Sequence, residues 1–172
     1  MEPNDDPRFV ALFRQTWGPA HDLATRLVGA EHAEHVTVDV FARLLERWHR
    51  LGRRSDIAGR ALARTAEACV AHARREGTSV ARRAADAPQP WAVPGTTTRS
   101  EVTVDPALRA GVTAMPRKVA VAFVLRDLTG RNDDAVATAT GTSRRTAAAR
   151  ADRGLAILRR EAGPGGHGLL DG

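Results

Sequence analysis

The stretch GTSRRTAAARADRGLAILRR, residues 141–160, decides the reading of the C-terminal half. From Ser143 to Arg160 it holds six arginines and one acid. Helical residues advance about 100° each. Ala147, Ala151, Gly154, Leu155 and Leu158 therefore share one face, and Arg145, Thr146, Ala149, Arg150 and Arg153 lie opposite. Ser143 is placed to cap this helix, after a tight turn containing Gly141. Upstream, Asn132 reads as the cap of a short helix to about Ala139, with Asp133 and Asp134 in its first turn, where the helix dipole favours acids. A short helix, a tight turn and a second amphipathic helix make a helix-turn-helix. In that motif the second helix enters the major groove, and its first residues reach base edges. Arginine suits the task, because its planar fork grips guanine or phosphate at two points. Arg145, Thr146, Arg150 and Arg153 are the candidate duplex contacts, with Ser143 and Arg144 supporting them at the helix start. The bland alternative is an exposed helix kept in solution by its arginines. Ile157 points toward the polar face and fits neither reading.

Working outward, Asp105-Pro106 reads as a cap followed by proline at the first helical position, opening a short helix to about Ala114. Met115-Pro116 breaks the chain. A helix from Arg117 to Leu128 then buries Val119, Ala122, Phe123 and Leu125. Residues 77–104 hold three prolines and two glycines and read as a flexible linker, with Trp91 resting on a domain surface. Before the linker come three helical segments. Phe9, Phe13, Trp17, Ala20, Leu23 and Leu27 form a buried stripe over 7–29, with a kink or break expected at Gly18-Pro19. Ala33, Val36, Val40, Phe41, Leu44 and Trp48 share one side of a helix over 31–50. Ser55-Asp56 caps a helix to about Glu76 with Ile57, Ala61, Leu62, Thr65, Ala68, Cys69 and His72 inward. The expected fold is all-α: a helical domain over 1–76, a linker over 77–104, a helix-turn-helix domain over 105–160 and a disordered tail over 161–172.

The 172 residues suffice for one ordinary domain or two small ones, and the 32 alanines favour helix over sheet. No run of apolar residues is long enough to span a membrane. An acidic start without an apolar signal core, and a single cysteine, fit a reducing cytoplasm. Net charge is +6, and arginine supplies 25 of the 26 basic side chains. Its distribution is more telling than its sum. Residues 1–49 carry eight acids and five arginines, residues 50–83 nine arginines and three acids. An acidic-leaning front and two basic zones suit a polyanion touched at two places and another partner at the front.

Three stretches together resemble the extracytoplasmic-function (ECF) family of RNA polymerase sigma factors. The first is G-x-S-x-x-T-A-x-x-R-x-x-R-G-L-x-x-L-R from Gly141, with the lead-in Met115-Pro116-Arg117 and Leu125-Arg126. The second is AEHAEHVTVDVFARLLERWHRL, where Ala33-Glu34, Asp39, Phe41, Arg43, Leu44 and Trp48 match the family's polymerase-docking helix. The third is IAGRALARTAEACVAHARRE, at the place of the promoter-melting helix, with Arg74-Arg75 at the matching end. The resemblance spans residues 9–160 except the linker. It implies a factor that binds core RNA polymerase, directs promoter-specific initiation and performs no chemistry itself. Glu34, Asp39, Phe41, Arg43 and Trp48 become candidates near the polymerase, with Phe41 and Trp48 equally suited to the core. Arg60, Arg64, Arg74 and Arg75 become candidates for promoter contact, and an anti-sigma factor becomes an expected partner. The chain departs from the family at His35, Val38, Glu67 and Ala71. An acid at Glu67, where DNA is expected, brings repulsion.

Two rival readings keep the same helices. One is a sigma-shaped interaction protein that binds polymerase or a regulator without opening promoters. The other is a stand-alone helix-turn-helix regulator. An enzyme reading lacks a phosphate loop or a nucleophile–base pair. His32 and His35 are three apart, but no cysteine or third histidine follows at a ligating spacing, so neither metal nor cofactor is expected.

Overall fold

The computed structural model describes residues 6–51, 56–86 and 104–162. The readings placed on Trp91, on residues 87–103 of the linker, on Ser55 and on the tail from 163 lie outside them. Among the described residues there are helices and no strand. They are α1 (Pro7–Val28), α2 (Ala30–Glu46), α3 (Trp48–Leu51), α4 (Ile57–Asp86), α5 (Pro106–Ala114), α6 (Arg117–Phe123), a π-helical turn (Val124–Leu128), α7 (Asp133–Thr140) and α8 (Arg144–Ala162). No helix among them is long and apolar enough to cross a membrane.

Local chemistry sets the starts. Asp6 caps α1 by accepting the Arg8 N–H at 2.8 Å, with Pro7 at the first helical position. The other Asp6 oxygen accepts the Trp48 indole N–H at 2.8 Å, and Phe9 meets Trp48 edge-on, so the start of α1 is tied to α3. The break expected at Gly18-Pro19 does not divide α1, which runs through Pro19 as one element. Both residues face solvent, while Thr16, Ala20 and Leu23 on either side are buried. Packing of the continuous stripe offsets the hydrogen bond that proline cannot donate. That stripe is Phe9, Leu12, Thr16, Ala20, Leu23, Ala24, Leu27 and Val28. Phe13 and Trp17, expected inside, stand at its rim, and Phe13 is 38% exposed. Gly29, at φ 86°, then reverses the chain into α2.

The helix expected to end near Glu76 continues through Gly77 to Asp86, ten residues into the stretch read as linker. Alanine and arginine dominate residues 81–85 and propagate the helix, against a cost of about 1 kcal/mol for one glycine. α4 is also buried beyond a single stripe: Ala61, Leu62, Ala63, Thr65, Ala66, Cys69, Val70 and Ala73 are all inside. It packs against α1 and α2 and also against α5, α6 and α7. The N-terminal and C-terminal halves thus share one continuous core. Burial leaves Cys69 0% exposed and pushes its thiol pKa up to about 12.

In the C-terminal half, Asp105 caps α5 by accepting the Ala107 N–H at 2.8 Å, and Pro116 ends that run as expected. α8 crosses its neighbours closely at two glycines. A Cβ on Gly154 would stand 2.5 Å from the Phe123 Cβ, and one on Gly111 2.5 Å from Leu158 Cδ1. Ile157, which suited neither face of α8 in sequence, is half-buried against the core.

Gly154→Ala is expected to lower the unfolding free energy by about 1–3 kcal/mol through overpacking on Phe123. Gly77→Ala, exposed with open space around it, is expected to raise it by about 0.5–1 kcal/mol. Urea denaturation of both variants checks the pair. A Gly77→Ala variant no more stable than the parent contradicts a helix continuing past Glu76.

Candidate nucleic-acid interface

The α7–turn–α8 corner is built from short-range signals. The Asn132 side chain accepts the Ala135 N–H at 2.9 Å and starts α7. Gly141 ends it in the left-handed region, φ 67° and ψ 41°, which glycine adopts without strain. Ser143 Oγ accepts the Thr146 N–H at 3.2 Å and lies 2.8 Å from the Thr146 hydroxyl. Val136, Ala139, Ala147, Ala151 and Leu158 are buried between the helices and the core.

This packing turns the opposite face of α8 outward. Ser143, Arg144, Arg145 and Arg153 are exposed, and Thr146 and Arg150 are half-buried. Arg144 lies 3.5 Å from Asp134. Among the described residues, Arg145, Arg150 and Arg153 make no ion pair. The one acid in this stretch of α8 does not dilute their charge. Asp152 is held 2.7 Å from Arg126, which also lies 3.1 Å from Asp127 and 3.8 Å from Asp133. Arg126 thereby ties the π turn to α7 and α8. Burial opposes its charge, but the bonds to Asp152 and Asp127 carry its pKa above the ordinary value. Burial raises the Asp127 carboxyl despite the neighbouring guanidinium.

The four arginines expected to meet the promoter from α4 separate. Arg75 is exposed. Arg64 pairs with Glu67 at 2.7 Å. Arg60 is half-buried, and its Nε is sealed without a hydrogen-bond partner. Arg74 turns to the C-terminal half, donating to the Thr113 carbonyl at 3.3 Å and to the Met115 carbonyl. Those carbonyls close α5 just before Pro116, which has no N–H to help satisfy the chain there. Arg26 does the same at the end of the π turn, donating to the Leu128 carbonyl at 3.0 Å. Glu67 does not stand alone as the departure from the family suggested. Arg64 and Arg117 share one of its oxygens, Arg117 from across the molecule at 3.0 Å. Two further pairs join the halves: Arg131 with Asp56 at 3.1 Å, and Arg109 with Glu76.

Between these contacts lies a cleft of about 690 Å³ that takes side chains from α2, α3, α4 and α6. Arg43, Arg47, Arg64, Arg74, Arg75 and Arg117 line it, with Glu67 the single acid. Six guanidinium groups converging on one concavity focus positive potential and attract phosphate. Arg47 and Arg117 had no sequence signal as members of this surface, because what places them there is the packing of the helices.

The residues expected near a polymerase also separate. Glu34 is exposed, and Asp39 pairs with Arg43 at 2.9 Å along α2. Phe41 and Trp48 are 3% and 6% exposed, so of their two expected places they take the core. Val38 is 49% exposed on the same helix. His35 faces solvent, whereas His32 meets His72 and Glu76 of α4.

No protein-family model matches the chain, and no curated protein matches it in sequence. A solved structure of the sigma factor RpoE in complex with the anti-sigma factor NepR from Bartonella quintana has a similar fold. Its TM-score is 0.56 at 14% identity, covering 89% of this chain and 95% of that one. The likeness is one of fold, and it agrees with the all-α architecture.

Replacing Arg150 and Arg153 together with alanine is expected to weaken binding to duplex DNA. It should also flatten the dependence of log K on log salt, by about one unit per phosphate no longer neutralised. Fluorescence anisotropy at several salt concentrations measures this. An unchanged slope rules out this face of α8 as the contact surface.

Proposed function

We propose that the protein is a sigma-type initiation factor that binds core RNA polymerase and directs promoter-specific transcription. The observation that carries the reading is the arginine face of α8, held outward by the α7–turn–α8 corner in a chain whose fold is similar to that of a sigma factor. In this reading Arg145, Thr146, Arg150 and Arg153 touch duplex DNA, with Ser143 and Arg144 at the helix start. Arg75 and the arginine cleft accept the promoter nearer the start site. The α2 surface around Glu34, Val38, Asp39 and Arg43 meets the polymerase. Exposed apolar atoms at Val38 and Phe13, set among charged side chains, suit a protein partner. The protein lends recognition and strand-opening energy to an enzyme and performs no reaction. A cytoplasmic location and an anti-sigma partner belong to the same proposal.

The closed packing adds a condition. Glu67, Asp56 and Glu76 hold Arg117, Arg131 and Arg109, and Arg74 is committed to α5. For Arg74 to reach DNA, the C-terminal half must move away, whereas Arg64 and Arg75 are already exposed. Each such pair contributes roughly 0.2–1 kcal/mol where it is solvent-exposed, so the electrostatic part of the closure is modest. The same commitments favour a second reading, a sigma-shaped protein that binds polymerase or a regulator and never opens a promoter.

Reconstitution separates the readings. Purified protein with core polymerase is expected to give promoter-specific transcripts. Co-purification without transcripts supports the interaction protein, and tight specific DNA binding without polymerase supports a stand-alone regulator. Arg109→Ala combined with Arg131→Ala, neither of which lines the cleft, is expected to enlarge the radius of gyration in small-angle scattering and to raise transcript yield. A more open variant with no gain in transcripts contradicts the idea that closure restrains activity.

A further inference from the structure

The side chains of His32, His72 and Glu76 converge at the junction of α2 and α4. His32 Nε2 lies 2.9 Å from Glu76 Oε1, and His72 Nε2 lies 3.4 Å from the same oxygen. The two imidazole rings are 4.6 Å apart, and one ligand atom from each of the three residues falls within 4.8 Å of the others. His72 and Glu76 are four residues apart on α4, which puts both on one helix face. Their side chains are 17% and 29% exposed, and that of His32 is 33% exposed.

Hydrogen bonding alone leaves this cluster unfinished. A ring nitrogen carries at most one hydrogen. Yet His32 Nε2 faces two carboxylates, Glu76 at 2.9 Å and Glu31 at 3.1 Å. His72 Nε2 is sealed from solvent and makes no hydrogen bond. It stands 3.4 Å from a carboxylate oxygen without the geometry to use it. His32 Nε2 can serve only one of its two carboxylates and His72 Nε2 serves none, an arrangement matched by a cation placed among them.

The spacing fits such an ion. Zinc–ligand bonds of about 2.0–2.1 Å in a tetrahedron place neighbouring donors roughly 3.3–3.4 Å apart. The two nitrogen–oxygen separations of 2.9 and 3.4 Å are close to this, and no donor pair exceeds 4.8 Å, so binding needs only small side-chain shifts. Two imidazoles and a carboxylate are a borderline donor set, suited to zinc or cobalt and not to magnesium or calcium, which take oxygen ligands. Glu31 lies 3.1 Å from His32 Nε2 but outside the three donors that fall within 4.8 Å of one another, so the fourth position is open to water. The second oxygen of Glu76 is engaged by Arg109, an outer contact that fixes the carboxylate. With neutral imidazoles, Glu31, Glu76 and Arg109 sum to one negative charge, so a divalent ion is not repelled.

The geometry points to a zinc-type metal site formed by His32, His72 and Glu76, with the fourth position left to water. It joins α2 to α4 and, through Arg109, reaches α5 of the C-terminal half. It is independent of what the arginine surfaces bind. An ion there fastens α2 to α4 and holds the Glu76 carboxylate where Arg109 meets it.

Untagged full-length protein, stripped with chelator, is titrated with zinc by calorimetry and with cobalt by visible absorption. One equivalent is expected to bind, raise Tm and give the visible bands of tetrahedral cobalt, while magnesium does neither. His72→Ala and Glu76→Gln are expected to lose at least about tenfold in affinity, with His35→Ala unaffected. Circular dichroism establishes that each variant is folded, and Glu76→Gln preserves side-chain shape if His72→Ala does not fold. No stoichiometric uptake by the parent, or equal uptake by parent and Glu76→Gln, overturns the site.

Discussion

One helix has to be narrow. α4 is touched by α1 and α2 and by α5, α6 and α7, so it lies between two groups of helices. Helix axes approach within about 8–10 Å only where the side chains at the contact permit it. Ala61, Ala63, Ala66 and Ala73 make up half of the buried α4 residues named above, with Leu62, Thr65, Cys69 and Val70 filling the gaps. Thr65 turns its hydroxyl to the Ala61 carbonyl at 3.1 Å, so its polar atom is satisfied inside. This small-residue surface makes one core out of two sets of helices, and every contact across the arginine cleft follows from it. The same device recurs where α8 crosses α5 and α6: Gly111 of α5 admits Leu158, and Gly154 of α8 admits the Phe123 side chain.

The chain relies on one kind of basic side chain and divides it between two tasks. Arg26 and Arg74 fill helix-end carbonyls across the molecule, while Arg109, Arg117 and Arg131 take carboxylates. These arginines are structural in the closed form. Arg75, Arg145 and Arg153 remain exposed. Guanidinium serves both purposes because it keeps its charge when half-buried and offers several donors in a fixed plane. The count of arginines therefore overstates the charge available to a polyanion, and the packing decides which of them are offered.

Where the signals are local, sequence was enough. Asn132, Gly141 and Ser143 cap and turn α7 and α8 at the expected positions, and Asp105-Pro106 opens α5. Capping depends on hydrogen bonds within three or four residues, so it is written in short stretches. The arginine face of α8 followed from helical angle alone. What escaped depends on distant partners. Phe13 reads as core by spacing, yet the buried stripe of α1 runs through Leu12 and Thr16 instead. The extent of α4, its burial on several sides and the role of Glu67 are set by helices far along the chain. Sequence pairs His32 with its neighbour His35, while the structure brings it to His72, forty residues on. No periodicity reveals that contact, because it depends on how α2 and α4 cross.

The single cysteine offers a different use of the packed interior. Cys69 has no exposed surface, and its thiol stays protonated at neutral pH. Alkylating agents and oxidants attack thiolate. They reach this sulfur only when α4 separates from its neighbours, so the labelling rate of an unmodified chain measures how often the helices part. The protein carries an intrinsic clock for its own breathing, readable by mass without an added probe.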